Sequence, residues 1–477
     1  MQGFQMTALS QVGWRILSLG AFLALMVGCT TYTERVADYR RAYGAGEMES
    51  AVKIIGEMVE DDAEDDDGRD TLLLLLESAA ATRAAGRVQE SQFLLNRAER
   101  VYDYWQEMAK VSISREGISL LTNPATLPYR GMGADILMIN TYQALNTLQA
   151  GQIAEARQPL VRLDNHQKEV VAANTERIAK TREAVAKDKE SANIQQSSNS
   201  EATQKVTEEI LKELPDTRGY ELYVNPFSEY LYAFYHLYAG VDAADREMAR
   251  FRMLRALSMA PENTALRQDA ERIKAGAGIR PSVYIFHENG LAPHREEFSI
   301  SLPIYASHTF SWMSLALPVL KVDENVGPFA TLHGGNQVAT AELVCDMEAV
   351  LAKEYDNDYP GILTRAISSA IAKAAIAYTA NYMAERNNDA VLQLVALIGT
   401  IVYQECTTTA DTRSWNSLPK HIGVGRIDLP ADRQVKITQG GRTLQTVTLP
   451  PTGDVWVICV RTMHRNSKPS VMFFKMH

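Results

Sequence analysis

The sequence predicts an α+β protein of two folded parts, with helical hairpins in its first half and an antiparallel β-sheet in its second half. Three observations favour this class. A glycine-centred pattern typical of helix–turn–helix units recurs up to about residue 275. Beyond the glycine-containing segment 274–278, the helical pattern gives way to short alternating strands separated by turn residues. The chain of 477 residues is also too long for a single hydrophobic core.

Residues 1–28 have the pattern of a bacterial export signal. Arg15 supplies positive charge, and residues 16–27 form an apolar run that is too short to span a bilayer. Gly28 and Cys29 end this run and resemble the lipobox of bacterial lipoproteins. In that family the cysteine thiol takes a diacylglyceryl group, the signal is removed before the cysteine, and the new amine is usually acylated. An ordinary signal peptide with an unrelated cysteine and a short membrane anchor are the alternatives.

The lipobox resemblance implies lipidation of Cys29 and a mature chain that starts there. Several acyl chains hold a protein durably on a membrane, whereas one chain does so only marginally. Thr30 and Thr31 follow the cysteine. In such proteins an aspartate at this place would favour retention in the inner membrane, so the resemblance implies the periplasmic face of the outer membrane.

The composition is that of a globular protein, with 46% hydrophobic and 22% charged residues. The net charge of −10 argues against a nucleic-acid partner and against bulk electrostatic attraction to anionic lipid. Membrane attachment is therefore expected to depend on the acyl chains. Cys345, Cys406 and Cys459 remain besides Cys29, and three scattered cysteines do not form a disulfide framework. Buried thiols are expected, with a single bridge as the alternative.

Between residues 29 and 275, one spacing recurs: a glycine, a small residue five positions later, and an apolar residue four positions after that. It occurs at Gly46, Gly86 and Gly151, and a fourth unit with a longer turn is expected around Gly240. The glycine ends the first helix with a left-handed backbone, and the small residue lets the second helix approach closely. These spacings resemble the tetratricopeptide repeat, which implies an α-solenoid of stacked helical pairs. A bundle of unrelated helical hairpins is the alternative.

Two insertions interrupt this pattern. Residues 60–67 are almost wholly acidic, but Ala63 and Leu74 stand where a calcium-binding loop needs carboxylates, so a solvated loop is predicted. Residues 167–214 are rich in Ala, Glu, Lys, Gln and Ser and nearly free of aromatic residues. We predict two exposed charged helices around a mobile tip at 194–201, which form either a spacer or a contact for a partner.

The second part, residues 276–477, is predicted as an antiparallel sheet domain. Glu288, Asn289 and Gly290 are expected to turn the first strand directly into the second, and Gly440 and Gly441 are expected to link a later hairpin. The predicted strands are 282–287, 297–302, 311–320, 421–429, 435–437, 444–449, 456–460 and 471–474.

A helical insertion is expected within this sheet domain, near residues 341–406. Helices are predicted over 341–354 and 362–385. Residues 391–402 are apolar nearly all round, as in a helix that is buried in a core or faces lipid. A core hairpin is expected, and a hairpin that inserts conditionally into a membrane is the alternative.

No catalytic, cofactor or metal site is predicted, and the protein is not expected to be an enzyme. His287 and Glu288 lie on one side of a predicted turn and His294 and Glu296 on the other, but their spacing is not that of a known zinc motif. Residues 333–336 lack the lysine and the hydroxyl of a phosphate-binding loop. The sequence also lacks a serine nucleophile elbow and the zinc-protease motif.

Asp411, Arg413 and Trp415 are predicted as a possible interface patch, since arginine and tryptophan are common binding anchors. The alternative is an Arg–Asp pair that holds the corner between a helix and a strand under a tryptophan.

The order of the motifs carries a wider resemblance. The lipobox, the helical repeats, residues 288–293 (Glu-Asn-Gly-Leu-Ala-Pro) and residues 411–415 (Asp-Thr-Arg-Ser-Trp) resemble a family of bacterial outer-membrane lipoproteins with tetratricopeptide-like repeats. That family brings no assigned activity, so the resemblance implies location and architecture only.

The predicted function is therefore a scaffold in the cell envelope that binds envelope proteins through its repeats. The alternative is an accessory component of a secretion or pore-forming assembly, in which the apolar segment 391–402 contacts lipid.

Overall fold

The computed structural model describes residues 32–64, 68–112, 125, 127–187, 190–306, 309–386 and 409–477. Three predictions fall wholly on residues outside these ranges: the export signal with Cys29, the apolar segment 391–402, and the state of Cys406. The acidic segment 60–67 falls partly outside them, and the predicted solvated loop is wrong for residues 60–64, which lie in a helix with Asp62 buried. The other two cysteines, Cys345 and Cys459, are buried free thiols, as expected.

The described part is mixed α and β, which confirms the predicted α+β class. The helices are α1 (Tyr32–Arg35), α2 (Ala37–Ala45), α3 (Met48–Glu64), α4 (Thr71–Ala84), α5 (Val88–Ser112), α6 (Gly133–Gln149), α7 (Arg157–Lys187), α8 (Ser191–Ser198), α9 (Glu201–Lys212), α10 (Pro226–Ala239), α11 (Ala243–Met259), α12 (Thr264–Ala275) and α13 (Met347–Arg386).

Four helical hairpins occupy the predicted places: α2–α3, α4–α5, α6–α7 and α10–α11. Gly46, Gly86 and Gly151 have φ values of +83°, +80° and +75°, which confirms the left-handed turn in the first three. The small residue after each turn is buried against the first helix, and Ser91 also donates from its hydroxyl to the Ala79 carbonyl at 2.8 Å.

The fourth turn differs from the prediction. Gly240 has a φ of −67°, so it is not left-handed. A longer turn leads instead into an N-cap at Asp242, whose side chain accepts from the Asp245 N–H at 2.8 Å. The extra residues therefore replace the left-handed glycine with a capped helix start.

The strands form three sheets. They are β1 (Ser282–Asn289), β2 (His294–Ala306), β3 (Thr309–Lys321), β4 (Thr331–Gly334), β5 (Gln337–Thr340), β6 (Glu342–Asp346), β7 (His421–Asp428), β8 (Gln434–Gln439), β9 (Arg442–Thr448), β10 (Val455–Thr462) and β11 (Ser470–Lys475). The orders are β11-β10-β1-β7-β6, β2-β3 and β5-β4-β8-β9.

The predicted hairpin across Gly440 and Gly441 is confirmed as β8–β9. The predicted hairpin of β1 with the next strand is wrong. β1 pairs in parallel with β10 and antiparallel with β7, whereas β2 pairs with β3. The reason is burial: every residue of β1 is buried, so it needs a neighbour on both edges and cover on both faces. The parallel pair also makes the main sheet mixed rather than purely antiparallel.

The helical insertion of the second half begins later than predicted and is not interrupted. Glu342–Asp346 form β6, and α13 then runs from Met347 to Arg386 through Pro360. Tyr355 and Tyr359 of α13 are buried against the β2–β3 ribbon, and the Tyr355 hydroxyl donates to the Pro318 carbonyl at 2.6 Å. Leu363 and Ile367, beyond the proline, are buried in the same core, so the helix is held against the ribbon on both sides of Pro360.

Residues 167–214 are more closely packed than the sequence predicted. Ile194 and Ile210, on α8 and α9, are buried in one core with β2, β3 and α13. The Ser197 side chain accepts from the Tyr305 N–H at 2.9 Å. The predicted tip therefore covers a face of the ribbon.

The helices and the two larger sheets form layers. Tyr284 and Phe286 of β1 face the helices, where Phe286 contacts Phe227 and Phe234 of α10. Val283 and Ile285 face the four-stranded sheet. The first helices α4, α6 and α10 are buried nearly all round. The face that a helical solenoid would present to a partner is thus covered by the chain's own sheet.

Candidate functional site

The residues predicted as an interface patch are buried between the two halves of the chain. Arg413 and Trp415 are 4% and 1% exposed. The Arg413 guanidinium donates to Asp411 at 2.8 and 2.9 Å and to Asp70, which precedes α4, at 3.1 Å. The Trp415 ring packs edge-on against Tyr142 of α6. The surface interpretation is therefore wrong, whereas the Asp411–Arg413 pair of the alternative is present.

The charge of Arg413 determines the state of its partner. Burial alone would raise the pKa of the Asp411 carboxyl, but the hydrogen bonds and positive charge of Arg413 hold that pKa below its usual value. Both groups are thus ionised, and the pair satisfies its own charge inside the protein.

A second carboxylate holds the same loop from the helical side. Glu77 of α4 accepts from the Asn416 N–H at 2.7 Å, from the Ser417 N–H at 3.2 Å and from the Tyr39 hydroxyl at 3.0 Å. Burial raises the pKa of Glu77 to about 7, although these donors act in the opposite direction. This carboxyl therefore titrates near neutral pH.

Glu288, predicted to flank a turn, lies instead in an ionic cluster between helices and sheet. It forms an ion pair with Arg83 of α4 at 3.0 Å and accepts a hydrogen bond from the Tyr142 hydroxyl at 3.1 Å. Next to it, Arg461 of β10 donates to the carbonyls of Gly290 at 2.6 Å and Ser417 at 3.0 Å. The cluster therefore connects α4, α6, β1 and β10 through ion pairs and hydrogen bonds.

The histidines near this predicted turn are not brought together. His287 points to the opposite face of β1 from Glu288, where Nδ1 accepts from the Ala330 N–H at 3.0 Å and Nε2 lies 2.8 Å from the Thr462 hydroxyl. Burial, with the charge of Arg461, lowers the pKa of His287 to about 3. His294 pairs with Glu296 at the surface. His287 is thus a neutral structural residue.

One group in the described residues has ligand atoms close enough to consider a metal ion: Asp346, Glu348 and His421, within 4.8 Å of one another. Asp346 accepts from the Glu348 N–H at 2.9 Å and so caps the start of α13. The Lys420 ammonium lies 2.6 Å from Glu348 and supplies the positive charge that this cluster needs. The arrangement is better explained as a helix cap with an ion pair than as a metal centre.

A surface groove of about 450 Å³ is a candidate binding site in the described part of the chain. It lies between α1–α2, the loop after β1, the loop after β3 and residues 416–417. Tyr39 and Tyr43 of α2 line it with buried rings, and Arg40 and His294 contribute polar groups. Its volume falls in the range of small-ligand sites.

The cations that line this groove differ in their pairing. Arg41 pairs with Asp38 at 2.9 Å, and His464 lies 2.9 Å from Asp323. Arg40 is half-buried, and within the described ranges no ion pair or hydrogen bond engages its guanidinium. Burial and the charge of Arg40 together lower the pKa of His294. Among the described residues, Arg40 is thus a lining cation with no hydrogen-bonded or paired carboxylate, and its charge is also felt by buried Glu77.

Sequence reasoning did not find this groove. Its lining residues come from segments 33–43 and 291–294 and from Asp323, Asn416, Ser417 and His464, which are far apart in the chain. A local signal exists only for α2, where Tyr39 and Tyr43 are spaced four apart on a buried face and Arg40 lies beside them.

Comparisons with known protein families, with curated proteins and with solved structures gave no significant match for this chain. Among the described helices, none combines the length and the apolar character that a membrane crossing requires.

Proposed function

We propose that the protein is a lipoprotein held by Cys29 on the periplasmic face of the outer membrane, where it acts as an adaptor for another envelope protein. The observation that carries this proposal is how soon the folded body begins after Cys29. Tyr32 is already buried in the helical core, and only two residues separate it from Cys29. Because a residue spans at most about 3.6 Å, an acylated Cys29 would lie within roughly 11 Å of the fold.

We infer the surface that binds the partner from the helix faces that the sheet leaves exposed to solvent. The sheet covers the first helices, so the accessible face of the helical part is that of the second helices α5, α7 and α11. These helices adjoin one another: Arg162 of α7 donates to Glu99 of α5 at 2.8 Å, and Arg252 of α11 pairs with Asp164 of α7.

Apolar side chains are exposed along this second-helix face. They are Phe93 of α5, Val161 of α7, and Phe251 and Leu254 of α11. Phe93 and Phe251 are 60% and 57% exposed. Exposed apolar groups on adjoining helices, rimmed by charged residues, are typical of protein-interaction surfaces. We infer that a protein partner with an apolar patch binds here, while the acyl anchor raises its local concentration.

The test is crosslinking in native envelopes followed by recovery of the protein and its partners. We expect the Phe93→Glu, Phe251→Glu double variant to lose the crosslinked partner, and Cys29→Ala to leave the membrane fraction. Val338→Glu is the matched control, because Val338 is 64% exposed on β5, away from this face. An unchanged partition of Cys29→Ala would exclude the anchor, and equal crosslinking by the double variant and the control would exclude this surface.

A further inference from the structure

We propose that the groove beside α2 binds the phosphate group of an anionic phospholipid in the membrane that carries the Cys29 anchor, with Arg40 as its charged contact. This inference rests on the proposed anchoring for the source of the lipid. It concerns a single local site, and so it is compatible with the net charge of −10, which argues only against bulk attraction.

The first argument is the free cation. Arg40 lines the groove without an ion partner among the residues that the structure describes, whereas Arg41 and His464 are engaged by Asp38 and Asp323. A guanidinium has a planar fork of donors that matches two phosphate oxygens. Arg40 can therefore take a phosphate without first breaking an existing pair.

The second argument is the remaining lining. Asn416 accepts from the Ser414 hydroxyl through its carbonyl oxygen, which leaves its amide N–H groups as neutral donors in the groove. The carboxylate of Asp323 is occupied by the His464 ring and by the Asn325 N–H at 2.7 Å. Glu34 is the other carboxylate of the lining and is exposed at its rim.

The third argument is position. Thr33 of α1 lines the groove and is four residues from Cys29, so a lipidated Cys29 would lie at most about 14 Å away from it. The headgroup layers add roughly 5–8 Å to each side of the hydrocarbon core. Phosphates of the lipids around the anchor are therefore within reach of the groove.

The experiment uses the native acylated protein in neutral detergent and follows its melting temperature with soluble probes. Dihexanoyl phosphatidylglycerol should stabilise the protein in a saturable way, since a ligand that binds the folded state raises its stability by mass action. Dihexanoyl phosphatidylcholine and inorganic phosphate should stabilise it far less. Equal stabilisation by inorganic phosphate would show a site for free phosphate and overturn the lipid assignment.

Variants test the assigned contact. Arg40→Gln should weaken the apparent affinity for dihexanoyl phosphatidylglycerol by about tenfold or more, as expected for the loss of a charge-assisted hydrogen bond. Arg40→Lys should keep part of it. Arg250→Gln is the control, because Arg250 is an exposed arginine of α11 that does not line the groove. Equal titrations of Arg40→Gln and wild type would refute the proposal.

The outcome is separable from that of the proposed function, because the probes are soluble and need no membrane. If dihexanoyl phosphatidylglycerol binds but Cys29→Ala partitions with the membrane as wild type does, the groove assignment stands and the lipid-anchored adaptor is excluded. Confirmed anchoring without binding would exclude the groove alone.

Discussion

Arg413 and Glu77 hold the same loop through different chemistry, and they differ in how far the sequence predicts them. The Asp411–Arg413 pair could be anticipated because its members lie two residues apart. Asp70, the second partner of Arg413, lies 343 residues away, and Glu77 lies 339 residues from Asn416. A single sequence gives no sign of contacts at such separations. An arginine close to a tryptophan is typical both of a binding anchor at the surface and of a buried contact between two elements. The residue types alone therefore could not predict that Arg413 and Trp415 are buried.

Glu77→Gln should destabilise the protein by about 2 kcal/mol, because a glutamine cannot accept hydrogen bonds at both ends from the three donors around it. The effect should depend on pH. The pKa of Glu77 is raised from 4.5 to about 7 in the fold, so its contribution to stability is fully present below about pH 4.5 and is lost as pH rises through about 7. The difference between wild type and variant should therefore be larger at about pH 5 than at about pH 8.

Urea unfolding of both proteins at the two pH values measures this difference, and the comparison cancels the titration of other groups. Glu90→Gln, at an exposed site on α5, is the control and should change stability little at either pH. A difference that grows towards high pH would contradict a raised pKa for Glu77.

At the level of the elements, local spacing predicted the helical hairpins well and the strand pairing poorly. The turns at Gly46, Gly86 and Gly151 depend on residues within a few positions, so the pattern contains all the information they need. β1 depends on β7 and β10, which lie more than a hundred residues further along. β1 is buried on both faces because helices cover one side and a second sheet covers the other. The turn residues after Asn289 contain no information about these covering elements.

Gly46 and Gly86 offer a matched test of what a left-handed glycine requires. Both have a φ near +80° and the same pair of turn hydrogen bonds. A methyl group at Gly86 would meet only the Met472 sulfur at 3.9 Å, whereas at Gly46 it would lie 2.4 Å from the Lys468 carbonyl oxygen. Gly86→Ala should cost about 1–2 kcal/mol for the backbone conformation alone. Gly46→Ala should cost more, because the backbone at Lys468 must also move.

Thermal and urea unfolding of the two alanine variants gives the comparison directly. Gly56→Ala is the control, since Gly56 lies inside α3 with open space around it and should gain stability from the better helix former. Equal losses at Gly46 and Gly86 would mean that the contact of the α2–α3 turn with Lys468 does not constrain the fold.

At the scale of the whole molecule, the halves predicted as separate domains share one core. That core contains the first helices together with one face of the five-stranded sheet. The nearly continuous apolar runs of α4 and α10 are typical of helices that are buried all round. They could not identify the covering element, because β1 lies 52 residues from α10 at the Phe234–Phe286 contact and 205 residues from α4 at the Arg83–Glu288 pair.

This shared core predicts that the halves lose structure together. Glu288 of β1 is the ion partner of Arg83 of α4, so Glu288→Gln leaves a buried guanidinium without its counter-charge, at a cost of about 3–5 kcal/mol. We expect hydrogen exchange, followed by mass spectrometry, to show the same loss of protection in α4 and α6 as in β1 and β10. Arg280→Gln is the control, because its pair with Asp428 is largely exposed and should contribute little. Loosening of the strands alone, with α4 and α6 still fully protected, would instead establish two independently folding units.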